Sequence, residues 1–191
     1  MKKKIRKKVF QHRDKWWACR LCEIGAKAHN HVLGEGSWGA DVVFIGEGPG
    51  LTEDALGRPF VGKAGRVLRT AIADIKVDTP FKYFITNLLA CRPVDDNKNN
   101  RPPTPEEIKA CAPRLEELLA ILNPRLVVLL GNLPRDYMEM SLLKSIPDLT
   151  VCCVRHPAYI VRKGGVGCDE YQIFYAYLKE SIRCTMATTA S

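Results

Sequence analysis

Four of the eight cysteines stand at spacings that suit a metal centre. Cys19 and Cys22 form a CxxC pair, while Cys91 and Cys111 flank a polar, proline-rich stretch that leads into a predicted helix. In a chain without secretory features, such spacing indicates metal ligation rather than disulfide bonding. Four thiolates hold either a tetrahedral zinc ion or a four-iron, four-sulfur cluster, so spacing alone leaves the metal open. The remaining cysteines show no ligand spacing, and we expect core or surface positions for Cys152, Cys153, Cys168 and Cys184.

A second set of reactive side chains lies in three loops, each of which follows an apolar run. Glu47 stands between glycines that allow close approach of backbone and substrate, Asn87 follows a β-branched run, and His156 precedes a proline. The first of these loops matches neither GxGxxG nor a phosphate-binding loop. Because the carboxyl ends of parallel strands meet at one edge of an open sheet, we expect these three side chains to share a site.

The elements that must position these loops are read from hydrophobic periodicity. Short, apolar, β-branched runs predict four strands, at residues 41–46, 83–89, 126–130 and 150–154. Amphipathic patterns predict helices between and after them, at residues 63–75, 104–122 and 169–183. This alternation predicts an α/β fold, namely a three-layer α/β/α arrangement with a central, mainly parallel four-stranded sheet.

The length of the chain bounds its organisation. At 191 residues it has the size of one domain, and we predict a single domain over residues 1–191. Residues 1–22 carry a pattern that predicts a short amphipathic helix leading into Cys19, and residues 1–15 could instead form a flexible basic tail.

Composition excludes several classes of protein. Hydrophobic residues make up 46% and charged residues 26% of the chain, as in globular rather than disordered proteins. No apolar run approaches the roughly 20 residues that a membrane-spanning helix needs. The basic start, MKKKIRKKV, is not followed by the apolar core of a signal peptide. We therefore expect a cytoplasmic, intracellular protein that does not bind membranes.

The charge balance favours a nucleic-acid partner. Lysine and arginine number 29 against 21 acidic residues, which gives a net charge of +8 and a pI near 9.1. Arg155, Arg162 and Lys163 flank the third loop and are candidate phosphate contacts, although any one of them could be solvated surface charge. We expect the protein to act as a monomer.

The loops themselves carry a family resemblance. GEGPGLTEDALGRPFVGKAG, which begins at Gly46, resembles the first motif of the iron-sulfur (family 4) uracil-DNA glycosylases. TNLLACRP at 86–93 is similar to the second motif, and His156 with Pro157, Tyr159 and Arg162 is similar to the third. The motifs occur in the family's order, and the resemblance covers residues 16–165.

That resemblance implies a function and a cofactor. The chain is expected to be a DNA base-excision repair glycosylase, which hydrolyses the N-glycosidic bond of a uracil flipped out of DNA and leaves an abasic site. The cysteine pattern also matches the family's cluster ligands, which favours a 4Fe-4S cluster over zinc at Cys19, Cys22, Cys91 and Cys111.

The resemblance also assigns roles around the base. Asn87 offers a donor and an acceptor that match uracil O4 and N3–H, Phe60 would stack on the extruded ring, and the backbone at Gly48 would help to hold it. His156 would donate to uracil O2 as negative charge develops, and Glu47 would position the attacking water or stabilise the sugar cation.

Some features depart from the family pattern and leave other functions open. The segment between Gly131 and His156 is short, the loop between Cys91 and Cys111 is slightly long, and Ala158 replaces the usual serine. A non-catalytic DNA-binding or replication-associated protein with the same fold is one alternative. A glycosylase for another modified base is another.

Overall fold

A parallel sheet forms the centre of the computed structural model, which describes residues 2–138, 146 and 148–188. Its five strands lie in the order β1-β3-β2-β4-β5. They are β1 (Glu35–Gly36), β2 (Val42–Gly46), β3 (Tyr83–Asn87), β4 (Leu126–Leu130) and β5 (Thr150–Val154). The four apolar runs are therefore confirmed as parallel strands, which begin and end within two residues of the predicted bounds.

The sequence prediction did not include β1, which pairs antiparallel with β3 at one edge of the sheet. This strand has two residues, and neither is apolar, so periodicity gives no signal for it. Glycine is required there because Gly36 has a φ of 149° and a Cβ would lie 2.3 Å from the Tyr83 carbonyl oxygen.

Eight α-helices surround the sheet within the described residues, together with a 3₁₀ turn at Gly165–Gly167. They are α1 (Lys2–Trp16), α2 (Glu23–Lys27), α3 (Leu51–Leu56), α4 (Lys63–Asp78), α5 (Pro105–Leu122), α6 (Asn132–Tyr137), α7 (Pro157–Arg162) and α8 (Asp169–Ala187). Thr104 and Glu107 form the predicted capping box at the start of α5. None of the described helices is both long and apolar enough to cross a bilayer.

The two faces of the sheet bury separate cores, which confirms the three-layer prediction. Strand residues that include Val42, Phe44 and Val128 pack on one face against α4 and α8. On the other face, alternate residues of the same strands, including Val43 and Ile45, pack against the leucines of α5. Strands buried on both faces account for their continuous apolar sequence.

The N-terminal segment is a helix that packs against α5. Val9, His12 and Trp16 are buried, and His12 Nε2 forms a 2.9 Å hydrogen bond with the Arg114 carbonyl oxygen. Glu117 accepts hydrogen bonds from Lys15 Nζ and Trp16 Nε1. The predicted amphipathic helix therefore exists, and it delivers the chain to Cys19. Residues 139–145 and 147, in the short segment before His156, lie outside the described residues.

Candidate active site

A cavity of about 390 Å³ opens at the carboxyl edge of β2 and β3, where the sequence predicted a site. The five residues predicted to act on the base all line this cavity, namely Glu47, Gly48, Phe60, Asn87 and His156. Glu53, Arg101, Ala158 and Arg162 complete much of the wall. Loops after β2, β3 and β5 thus meet as the parallel topology requires.

Phe60 forms one wall of the cavity in a strained backbone conformation. Its φ of 51° places a bulky residue in the left-handed region, which costs of order 1–3 kcal/mol unless neighbouring groups enforce it. Arg69 enforces it, since its guanidinium donates to the carbonyl oxygens of Pro59 at 2.9 Å and Phe60 at 2.8 Å. Gly65 allows the turn, because a Cβ there would lie 2.0 Å from the Phe60 oxygen.

A carboxylate fixes the other side of the same turn. Glu53 Oε1 accepts hydrogen bonds from the backbone N–H groups of Val61, at 2.9 Å, and Gly62, at 2.7 Å. The Phe60 ring then lies 6.0 Å, centroid to centroid, from the His156 ring, with a tilt of 35°. Sequence reasoning missed Glu53 and Arg69 as supports. Glu53 lies within the first motif, whereas nothing in the pattern distinguishes Arg69 from other helix-surface arginines.

Asn87 presents an unpartnered acceptor at the base of the cavity. Its side chain is 1% exposed, and its Oδ1 has no hydrogen-bond partner among the described residues. Gly46 makes room for it, because a Cβ there would lie 2.4 Å from Asn87 Oδ1 and 2.5 Å from Phe60 Cζ. A buried amide oxygen without a partner is costly and is typical of a group that a ligand satisfies.

His156 lies at the N-terminus of α7 with its ring oriented by the backbone. Its Nδ1 accepts a 3.1 Å hydrogen bond from the Ala158 N–H. Burial, with a further contribution from the Arg162 charge, lowers the pKa of His156 to about 4. The ring is therefore neutral near pH 7, and its proton lies on Nε2, where it can be donated.

Glu47 is half-buried and directly follows β2. Burial raises the pKa of this carboxyl above its ordinary value. The Leu89 N–H donates to the Glu47 carbonyl oxygen at 3.1 Å, which fixes the backbone beside the loop after β3. The cavity therefore contains a poorly solvated carboxylate, a neutral imidazole and an amide.

The sequence model of the uracil DNA glycosylase superfamily matches residues 33–179, a span that contains the whole sheet and every residue of this cavity. This chain belongs to the uracil DNA glycosylase superfamily. The family resemblance drawn from the sequence is therefore confirmed.

Several proteins named type-4 uracil-DNA glycosylase are similar to this superfamily member. The one from Pyrobaculum aerophilum is 42% identical over 162 residues, which cover 76% of this chain and 80% of that protein. The one from Archaeoglobus fulgidus is 37% identical over 148 residues, covering 78% and 71%. The one from Sulfurisphaera tokodaii is 37% identical over 143 residues, covering 75% of this chain and 62% of the relative.

The four candidate ligand cysteines gather beside the cavity wall. Cys19 and Cys22 lie between α1 and α2, Cys91 follows β3, and Cys111 lies in α5. Burial raises the pKa of the Cys91 thiol to about 12, and the other three thiols are close enough to add to the rise. No group of three His, Cys, Asp or Glu side chains in the described part of the chain is placed to hold a metal ion. Ligation by these cysteines stays a prediction.

The other cysteines occupy the core and surface positions expected of them. Cys152 is buried in β5, and Cys168 is half-buried, whereas Cys153 and Cys184 are exposed.

Arg155, Arg162 and Lys163 are exposed and lie at or near the ends of α7. Arg162 lines the cavity, whereas the Arg155 guanidinium lies 4.9 Å and the Lys163 ammonium 5.8 Å from the Tyr159 ring centre. Arg101 differs from these residues because a bidentate pair with Glu107 holds it within its own loop.

Proposed function

We propose that this chain is a uracil-DNA glycosylase of base-excision repair, which hydrolyses the N-glycosidic bond of a flipped-out uracil and leaves an abasic site. The observation that carries the proposal is the buried Asn87 amide, whose Oδ1 has no partner among the described residues and which shares one cavity with Phe60 and a neutral His156. The names of the similar proteins point to the same activity.

Base recognition follows from the chemistry of the amide. Uracil presents O4 as an acceptor and N3–H as a donor, so the Asn87 NH₂ group and Oδ1 satisfy both. Cytosine reverses that pattern and would leave the buried Oδ1 facing another acceptor. Phe60 stacks on the ring, a contact worth roughly 1–3 kcal/mol per base. The backbone at Gly48 closes the remaining side of the base.

Bond cleavage places positive charge on the sugar and negative charge on the departing uracil. The C1′–N1 bond breaks with its electron pair moving to the base, where His156 Nε2–H donates to O2 and stabilises the anion. A water oxygen then bonds to C1′, and the proton that the water releases passes to the uracil anion, so the products are neutral uracil and an abasic site. Glu47 faces this step as a carboxylate that orients the water or stabilises the sugar cation. Its poor solvation strengthens either interaction.

The four gathered thiols support a metal centre at Cys19, Cys22, Cys91 and Cys111. Four thiolates could hold either a zinc ion or a four-iron, four-sulfur cluster. The match of these four cysteines to the family's cluster-ligand pattern favours the 4Fe-4S cluster. When bound, the cluster would tie the segment between α1 and α2 to the loop after β3 and to α5.

DNA is the proposed partner, which places the activity inside the cell. Arg162 lines the cavity, and Arg155 and Lys163 are exposed close to it in the chain, so these three residues would neutralise phosphates near the extruded nucleotide. Phosphate contacts position the protein without reading sequence, which suits an enzyme that must find uracil in any context.

The experiment that tests the proposal uses a labelled duplex oligonucleotide with one uracil, followed by alkaline cleavage of abasic sites. Wild-type protein should shorten the strand at the uracil, and His156→Ala should lose this activity. His29→Ala is a matched control, because His29 is an exposed histidine outside the cavity and should cut normally.

Other outcomes separate the alternative functions. Binding of the oligonucleotide without cleavage by well-folded wild-type protein would indicate a non-catalytic DNA-binding protein. Cleavage of another modified base in strong preference to uracil, in a panel of oligonucleotides, would overturn the substrate assignment.

A further inference from the structure

Arg114 is a charged side chain in the interior of the protein that the proposed chemistry does not use. It lies on α5 among apolar residues and is 1% exposed. No carboxylate forms an ion pair with it in the part of the chain that the structure describes. Burial of an unpaired cation is costly, so pairing energy does not account for an arginine at this position.

Its side-chain hydrogen bonds all go to the end of β3 and to Leu33, which lies two residues before β1. The guanidinium donates to the carbonyl oxygens of Asn87 at 2.5 Å and Leu88 at 2.9 Å. It also donates to Thr86 Oγ1 at 3.0 Å and the Leu33 carbonyl oxygen at 3.4 Å. These bonds fix the backbone at Asn87 and Leu88 and the side chain of the preceding Thr86.

Asn87 needs an external support of this kind. Its Oδ1 has no partner among the described residues, so no hydrogen bond on that atom orients the amide in the free protein. The hydrogen bonds from Arg114 to the backbone restrict the direction of the Asn87 Cα–Cβ bond. Packing of the amide between Gly46 and Phe60 restricts the remaining side-chain torsion of Asn87. A fork of paired N–H donors suits this task, because it holds two carbonyl groups at a fixed separation.

The backbone of Arg114 lies close in the chain to the cysteine segment. Cys111 precedes Arg114 by about one turn of α5, and the Arg114 carbonyl oxygen is hydrogen-bonded to His12 of α1. Leu88, whose carbonyl oxygen accepts from the Arg114 guanidinium, is three residues before Cys91. Arg114 therefore contacts both the base of the cavity and the elements that carry the cysteines.

We propose that Arg114 is a positioning residue that fixes Asn87 in the geometry required for base recognition. Its helix joins that geometry to the segment that contains Cys91 and Cys111. This inference rests on the proposed function, and it assigns Arg114 no contact with DNA.

The test is a double-mutant cycle with Asn87, measured by single-turnover cleavage of the uracil oligonucleotide. Arg114→Lys keeps the charge and loses the fork. We expect it to lower the maximal rate roughly tenfold, with the half-saturating enzyme concentration unchanged within about twofold. In an Asn87→Ala background the same change should lower the rate less than about twofold, because the side chain that Arg114 positions is gone.

The control is an arginine that bonds a backbone carbonyl away from the cavity. Arg125 is half-buried, and its guanidinium donates to the Thr185 carbonyl oxygen at the opposite edge of the sheet. Arg125→Lys should keep the maximal rate within about twofold whatever its thermal midpoint. If Arg114→Lys does not fold, Thr86→Val can replace it, because it removes one acceptor of the Arg114 guanidinium. The loss of rate caused by Thr86→Val should also disappear in the Asn87→Ala background.

The outcomes separate this inference from the proposed function. No cleavage by wild-type protein overturns the proposed function and this inference with it. An active wild type, with the same loss of rate for Arg114→Lys in both Asn87 backgrounds, overturns this inference alone. An unchanged rate in folded Arg114→Lys does so as well.

Discussion

The cavity and the cysteine segment lie side by side, yet they are held in different ways. The cavity wall is fixed by the chain itself, since Arg69 and Glu53 hold the strained turn at Phe60. The cysteine segment contains the five-residue helix α2, which has no side-chain cap hydrogen bond, and a buried Cys91 thiol whose ionisation the three half-buried thiols nearby disfavour. The comparison teaches that the cavity is fixed by contacts within the chain itself, whereas we expect the adjoining segment to gain much of its stability from the proposed metal centre.

The largest expected effect is that of Glu47→Gln in the cavity, which should lower activity without lowering stability. Glu47→Gln should lower the rate of uracil release on the order of 10²–10³-fold, because a fixed charge facing the transition state is lost. Burial raises the pKa of Glu47, so its ionised form destabilises the fold above that pKa and the glutamine avoids this penalty. The thermal midpoint of the variant at pH 7 should therefore equal or exceed that of wild type.

The pH dependence of the rate checks the same residue. The wild-type rate should fall as pH decreases through the raised pKa of Glu47, and this dependence should disappear in Glu47→Gln. His156, with a pKa of about 4, should contribute no step between pH 5 and 8. A step near pH 6.5 in the Glu47→Gln variant would contradict the neutral state assigned to His156.

In the cysteine segment, by contrast, a substitution should lower the stability of the protein. Cys91→Ser should lower bound iron and reduce the thermal midpoint by roughly 10 °C, because metal binding in such a segment contributes folding free energy. Iron content, visible absorbance and thermal unfolding measure the effect. Cys153→Ser is the matched control, because Cys153 is exposed and lies outside the four thiols. Equal iron and equal stability in both variants would remove Cys91 from the ligands.

The sequence predicted the cavity well because its residues follow strands with strong patterns. Asn87 is the last residue of β3, and His156 follows the end of β5 by two residues. The parallel topology therefore brings both to the same edge of the sheet. β1 gave no signal because it has two residues, and Arg114 gave none because a charged residue on a helix is ordinarily exposed. Arg69 acts through backbone carbonyls, which sequence patterns do not show.

The smallest expected effect tests whether the chain alone holds Phe60. Arg69→Gln removes the guanidinium that bonds the Pro59 and Phe60 carbonyls, and it should reduce the maximal rate several-fold, up to about tenfold, with bound iron unchanged. Arg58→Gln is the control, because exposed Arg58 shares the Glu35 carboxylate with Arg69 without touching the Phe60 backbone. If Phe60 stacks on the base as proposed, the loss should be greater for uracil in duplex DNA, where stacking must offset extrusion, than in single-stranded DNA. An equal loss in Arg58→Gln would trace the effect to the ion pair and not to the strained turn.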